Sequence, residues 1–185
     1  MITDKIFRDL RGNQILKYIP DNSVVCDIGC GSNGQFLRKI SSKIKKGYGF
    51  DIKAEYYKDD KIEIRENDLE KGSIPLKDET ADMVVMLAVL EHLKEPEKII
   101  REIRRILKNN GYFCLTTPSP KAKGILEFLA FKLKIINKND IFEHKKYFSP
   151  KEIISLLMAN GFRKENITTK YFEFGLNILA FAKKD

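Results

Sequence analysis

The chain has 185 residues, 43% of them hydrophobic and 32% charged, about one domain at roughly 100–200 residues per domain and apolar enough to bury a core. That balance excludes a disordered or fibrous chain, and the longest apolar run, Met83 to Leu90, is eight residues against the ~20 that span a bilayer. The net charge of +8 is uneven, −1 over residues 1–93 and +9 over 94–185; a basic half suits an acidic substrate, an anionic membrane surface or nucleic acid as readily as plain solvation of helices.

In chain order, the N-terminal segment carries early acids and no apolar stretch of a secretory signal, and residues 1–23 read as helix-like, with Arg8 and Arg11 on them. The three cysteines, Cys26, Cys30 and Cys114, form no CxxC pair, so neither a disulfide framework nor a metal site is expected. The reading is a single cytoplasmic domain over 1–185. Short apolar runs alternate with helix-period segments, the pattern of an α/β fold with a mainly parallel sheet. Strands are expected at Val24–Ile28, Gly47–Asp51, Ile62–Glu66, Asp82–Leu87, Tyr112–Thr116, Thr168–Phe174 and Ile178–Ala182. Met83 to Leu87 has no polar break, as in a central strand covered on both faces.

One helix starts near Pro96, lines up Ile99, Ile100, Ile103, Ile106 and Leu107 on one stripe and stops at Asn109-Asn110-Gly111. Another opens at Ser149-Pro150-Lys151-Glu152, where Ser149 caps, Pro150 fits the first turn and Glu152 closes a capping box. Phe148 and Ile153 stand where a hydrophobic staple packs, and Asn160-Gly161 ends the helix.

The chemistry concentrates at Val24-Val25-Cys26-Asp27-Ile28-Gly29-Cys30-Gly31-Ser32-Asn33-Gly34. A strand runs into a glycine-rich turn, and Gly29, Gly31 and Gly34 satisfy GxGxxG, by itself a weak nucleotide-binding signal. Asp51 ends the next strand, where a carboxylate can accept from a ribose diol. Asp27 discriminates between cofactors. A dinucleotide would bring a pyrophosphate to the loop, and a carboxylate two residues before the first glycine would repel it. S-adenosylmethionine instead carries a ribose diol, a sulfonium and an ammonium, and no phosphate, so two acids flanking the loop suit it better.

Asp27-Ile28-Gly29-Cys30-Gly31 resembles motif I of the class I S-adenosylmethionine-dependent methyltransferases, closest to the small-molecule branch that includes the ubiquinone/menaquinone C-methyltransferases. Further segments match in order. Asp51 resembles the family's ribose-binding acid, with Ile52 beside it. Asn67-Asp68-Leu69 resembles its adenine-reading segment, and Asp82-Met83-Val84-Val85 its fourth strand. Ala88-Val89-Leu90-Glu91-His92-Leu93 resembles its post-strand segment, and Arg105-Ile106-Leu107-Lys108-Asn109-Asn110-Gly111 its R-hydrophobic-L-K-P-G-G turn, with asparagines where that turn has proline and glycine. The resemblance is strong over 24–120, weaker over 144–184 and absent over 121–143. It implies a three-layer Rossmann-like sandwich whose seven-stranded, mostly parallel sheet has the order 3-2-1-4-5-7-6, strand 7 antiparallel. It also implies S-adenosyl-L-methionine as cofactor, S-adenosyl-L-homocysteine as product, and Asp27, Gly29, Cys30, Gly31, Asp51, Ile52, Asp68, Leu69 and Ala88 as the cofactor site.

The acceptor is less legible. No Asn-Pro-Pro-Tyr or Asp-Pro-Pro-Tyr follows the fourth strand; the family's nucleic-acid and protein-glutamine amino methyltransferases carry that motif, so the resemblance disfavours that chemistry without excluding nucleic acid. Ala88 to Glu91 reads instead as an apolar wall for a small or amphipathic acceptor. His144, beside Tyr147, is the preferred general base over His92. Gly124 to Ile136 is apolar on nearly all sides with lysines nearby, and residues 121–143 read as an acceptor-side lid; contact with a second copy of the chain, contact with a membrane surface and a plain core helix are the other readings. Two further functions stay open at this level: a nicotinamide-binding oxidoreductase and a non-catalytic subunit that uses the fold as a scaffold.

Overall fold

A computed structural model describes residues 10–127 and 145–185 of the chain. Its eight strands are β1 (Val24–Ile28), β2 (Lys46–Asp51), β3 (Tyr57–Lys58), β4 (Ile62–Glu66), β5 (Ala81–Leu87), β6 (Leu107–Pro118), β7 (Ile167–Phe172) and β8 (Asn177–Lys183). They form one sheet in the order β3-β4-β2-β1-β5-β6-β8-β7. β4, β2, β1, β5 and β6 are mutually parallel, β8 is antiparallel to both β6 and β7, and β3 is antiparallel to β4. With β3 set aside this is the expected seven-stranded order, its last strand reversed. β3 adds an eighth, two-residue strand at the edge, too short for alternation to announce it.

Strand alternation builds the layers. Val25, Met83, Val85, Cys114 and Leu179 face one way and pack with Ile15 and Ile19 and with Phe36, Leu37 and Ile40 of α1 (Gln35–Ile40). Cys26, Ile28, Val84, Met86, Phe113 and Leu115 face the other way. They meet Ile99, Ile100 and Ile103 of α2 (Pro96–Ile106), while Ile153 and Leu157 of α4 (Pro150–Ala159) complete that layer. A short helix, α3 (Ala122–Glu127), follows β6. The capping box on α4 forms as expected, Ser149 Oγ accepting from the Glu152 N–H and the Glu152 carboxylate from the Ser149 N–H.

Several strand ends shift by one or two residues from the sequence reading, and two boundaries differ for a structural reason. α2 ends at Ile106, not at Asn109–Gly111, because Leu107 turns extended and pairs with Ala81. The Asn-Asn-Gly segment is a bulge inside β6. The register jumps there, Asn110 takes φ 63°, and the backbones of Asn110 and Gly111 bond to Lys184 at 3.0 and 2.9 Å. β7 stops at Phe172 instead of Phe174, since Glu173 and Phe174 both adopt left-handed backbone. His144, residues 1–9 and residues 128–143 of the expected lid lie outside the described residues.

Candidate cofactor site

The parallel register of β1 and β2 fixes the loop. Ile28 stands opposite Phe50, and the Phe50 carbonyl accepts from the N–H of Gly29 at 2.7 Å and of Cys30 at 3.3 Å. Gly29, Gly31 and Gly34 all have positive φ, 78°, 72° and 58°, backbone that glycine adopts without steric cost. A Cβ on Gly29 would run into Val89, whereas one on Gly31 would point into open space. That space in front of Gly31 is where a ligand can approach the backbone.

The two flanking acids behave differently. Asp51 is tied into the structure: Oδ2 accepts from Gly31 N–H at 2.9 Å and Oδ1 from Lys53 N–H at 2.8 Å, while its carbonyl accepts from Asn67 N–H at 3.0 Å. Asp27 is 2% exposed, and no hydrogen bond from a described residue reaches its carboxylate. Burial first, and the charge of Asp51 second, push its pKa up to about 7. A buried carboxylate without a donor invites a cation.

The neighbouring strand ends complete the rim. Ile52 is 56% exposed and Leu69 is half-buried at the edge of the core. Asp68 receives Glu70 N–H at 3.1 Å and pairs with Lys71 at 3.1 Å, and the Lys71 hydrogen bond leads the causes that hold its carboxyl below the usual range. Asn67 Oδ1 is buried and accepts nothing from the described residues. Ala88 follows β5 at φ 57°, its N–H bonded to the Thr116 carbonyl at 2.9 Å. The structure thus brings Asp27, Gly29, Cys30, Gly31, Asp51, Ile52, Asp68, Leu69 and Ala88 to the C-terminal ends of β1, β2, β4 and β5. Burial raises the pKa of Cys26, Cys30 and Cys114, which disfavours the thiolate that a nucleophile needs. His92 closes the 3-10 turn Leu90–His92 at the same end of the sheet.

A model of a methyltransferase domain matches residues 4–167. The chain belongs to the class I S-adenosylmethionine-dependent methyltransferases. This methyltransferase is 29% identical over 152 residues to protein MJ1123 of Methanocaldococcus jannaschii, a match covering 80% of this chain and 68% of that one. It is 28% identical over 100 residues to a ubiquinone biosynthesis O-methyltransferase of Photobacterium profundum, covering 52% of this chain and 42% of that enzyme, less than half its length. Its fold is that of a methyltransferase solved in complex with the Haloferax volcanii Trm112 methyltransferase activator, with a TM-score of 0.71 at 18% identity over 98% of this chain and 92% of the other. The nicotinamide alternative falls with the family match, and the lone carboxylate of Asp27 supplies the physical reason.

Two features of the methyltransferase escaped the sequence reading. The expected apolar wall contains Glu91, which is buried and accepts from Thr117 Oγ1 at 2.9 Å, with its pKa raised by burial; a lone acid in an apolar run was the available signal. A groove of about 760 Å³ lined by Asp78, Glu79, Arg101, Arg104, Arg105 and Lys184 lies at the opposite end of the sheet, away from the glycine loop. Among the described residues, no helix is long and apolar enough to cross a membrane.

Proposed function

We propose that this enzyme binds S-adenosylmethionine across the ends of β1, β2 and β4 and methylates a small or amphipathic acceptor seated beyond β5 and β6. The observation that carries the reading is Asp27, buried and without a hydrogen-bond partner among the described residues, beside an open glycine loop. Asp27 receives the ammonium end of the cofactor, and the backbone of Gly29, Cys30 and Gly31 receives its amino-acid chain. Each Asp51 oxygen already accepts one backbone N–H and keeps a lone pair for a ribose hydroxyl. Ile52 and Leu69 offer apolar surface to the adenine faces, with Asp68 and Ala88 at its edge.

When bound, the cofactor supplies a methyl group on a sulfonium, already activated for in-line displacement. The chain has to orient the acceptor and exclude water, which can supply roughly 7–11 kcal/mol of barrier lowering. His144 is the proposed base for an acceptor with a proton to lose, and residues 121–143 the proposed lid. His144→Ala should depress turnover and leave cofactor affinity intact.

Thermal-shift titration with S-adenosylmethionine, S-adenosylhomocysteine and NAD tests the cofactor site. A ligand at 100 times its Kd adds about 2.7 kcal/mol of stability. Shifts with the first two alone, lost in Asp51→Ala, support the assignment; a shift with NAD alone, or none, overturns it.

A further inference from the structure

β6 and β8 bring polar groups to the same end of the sheet as the glycine loop. Thr116 and Thr117 are both fully buried, but they face opposite sides of β6. Thr117 donates to Glu91. Thr116 lies in register between Leu87 and Leu179, two residues beyond the Asp27–Val85–Cys114 row on the same face, and its Oγ1 has no hydrogen-bond partner among the described residues. Asn177 shares that face, since its register partner Pro118 is two residues past Thr116. The Asn177 amide donates to Glu173 Oε2, while Glu173 Oε1 is buried and accepts nothing from the described residues. Leaving a buried acceptor unfilled costs about 1–3 kcal/mol, and this corner leaves two.

The turn that carries Glu173 is held under strain. Glu173, Phe174 and Gly175 have φ of 50°, 57° and 85° in succession, and left-handed backbone costs about 1–2 kcal/mol for each non-glycine residue. Ser119 pins the turn, its Oγ donating to the Gly175 carbonyl at 2.7 Å and its N–H to that of Leu176 at 2.8 Å. Phe174 stands fully exposed at the tip. Burial raises the pKa of both Glu91 and Glu173, and the charge of Arg11 opposes that rise in each.

We propose that this corner anchors the acceptor and takes a protonated amine with an apolar body, its ammonium donating to Glu173 Oε1 and Thr116 Oγ1 and its body lying against Leu87 and Phe174. The inference rests on the methyltransferase reading and deepens it. An ammonium has several donors and no acceptor, so one group fills both empty positions. A hydroxyl can also meet both groups, donating to Glu173 and accepting from Thr116, but it brings no charge to the carboxylate, and a carboxylate head adds like charge beside Glu173.

Calorimetric titration in saturating S-adenosylhomocysteine, with hexylamine and phenethylamine against the matched alcohols and carboxylates, tests it. The amines should bind at least about tenfold tighter than the alcohols, since a hydrogen bond to a charged group is worth about 1.5–3 kcal/mol, and the carboxylates should not bind. Glu173→Gln should cut amine affinity about tenfold and leave alcohol affinity within about twofold; Thr116→Val should weaken both, with S-adenosylhomocysteine affinity unchanged in each variant. Amines binding no better than alcohols to the unaltered protein, or an unchanged amine affinity in Glu173→Gln, overturns the amine anchor. Failure of S-adenosylhomocysteine itself to bind would strike the cofactor site instead.

Discussion

Asp51 holds the Gly31 N–H at 2.9 Å, while Asp27, one strand over, is buried and has no donor among the described residues. One carboxylate holds the loop, and the other is the proposed seat of the cofactor's ammonium. The division follows from position: Asp51 stands past the last paired residue of β1 and can reach back to the turn, whereas Asp27 is inside β1, opposite Gly49 and Val85.

Cofactor affinity should therefore depend on pH through Asp27. Its pKa of about 7, raised from 3.8, means that the free protein carries a proton there below about 7, and an arriving ammonium expels it. Affinity for S-adenosylhomocysteine should be flat above about 7 and fall close to tenfold per pH unit below it. Stability of the free protein runs the other way. The folded pKa lies above the unfolded one, so the folded state binds the proton more tightly, and that advantage is lost as pH rises from about 4 through about 7. Calorimetry at pH 6 in buffers of different ionisation enthalpy counts the released proton, and Asp27→Asn should abolish the release.

The loop glycines should fail for different reasons. Gly29→Ala meets both an unfavourable φ and the Val89 side chain, so it should destabilise the fold by more than the ~1–2 kcal/mol of the backbone alone; Val89→Ala should recover part of the loss in a double-mutant cycle. Gly31→Ala has the φ but no clash. It should cost less stability and lose cofactor affinity, because its methyl group occupies the open space. Urea midpoints and S-adenosylhomocysteine titrations separate the two.

The parallel sheet and the loop were legible because their signals are local: unbroken apolar runs, a glycine turn, an acid after the second strand. The misreadings share a cause. Phe172 and Phe174 alternate as strand residues do, yet the chain turns at Glu173 because Asn177 and Ser119 hold it there. Asn109-Asn110-Gly111 is a helix-stop signature, but a stop signal does not tell whether a strand has already begun, and Leu107 is claimed by Ala81. The burial of Glu91 depends on Thr117, and the empty acceptor on Thr116 depends on what fails to reach it; neither partner is near in sequence.

Ser149→Ala should remove the cap of α4 at a cost of about 1 kcal/mol. Hydrogen bonds from Ser149 and the Lys146 ammonium lower the Glu152 pKa from 4.5 to about 2. Its folded pKa is depressed, so its contribution is present above about 4.5 and lost as pH falls towards about 2. The difference in urea midpoint between Ser149→Ala and the unaltered protein should accordingly shrink on acidification from pH 7 to pH 3.

Arg105 binds the segment before β5 to α2. Its guanidinium donates to the carbonyls of Leu76 and Ile74 at 2.8 and 2.9 Å and to Asp78 and Glu102 at 2.8 Å each, with Nε on Glu102 at 3.0 Å. A lysine cannot reproduce that planar fork. Arg105→Lys should therefore destabilise nearly as much as Arg105→Ala, about 1.5–3 kcal/mol for lost hydrogen bonds to a charged group, read as a lower urea midpoint at constant m. The network lies at the end of β5 away from Ala88, so S-adenosylhomocysteine affinity should stay within about twofold at 15 °C, where both variants remain folded. Rescue by lysine would mean that charge alone, and not the geometry of the fork, holds residues 74–78 in place.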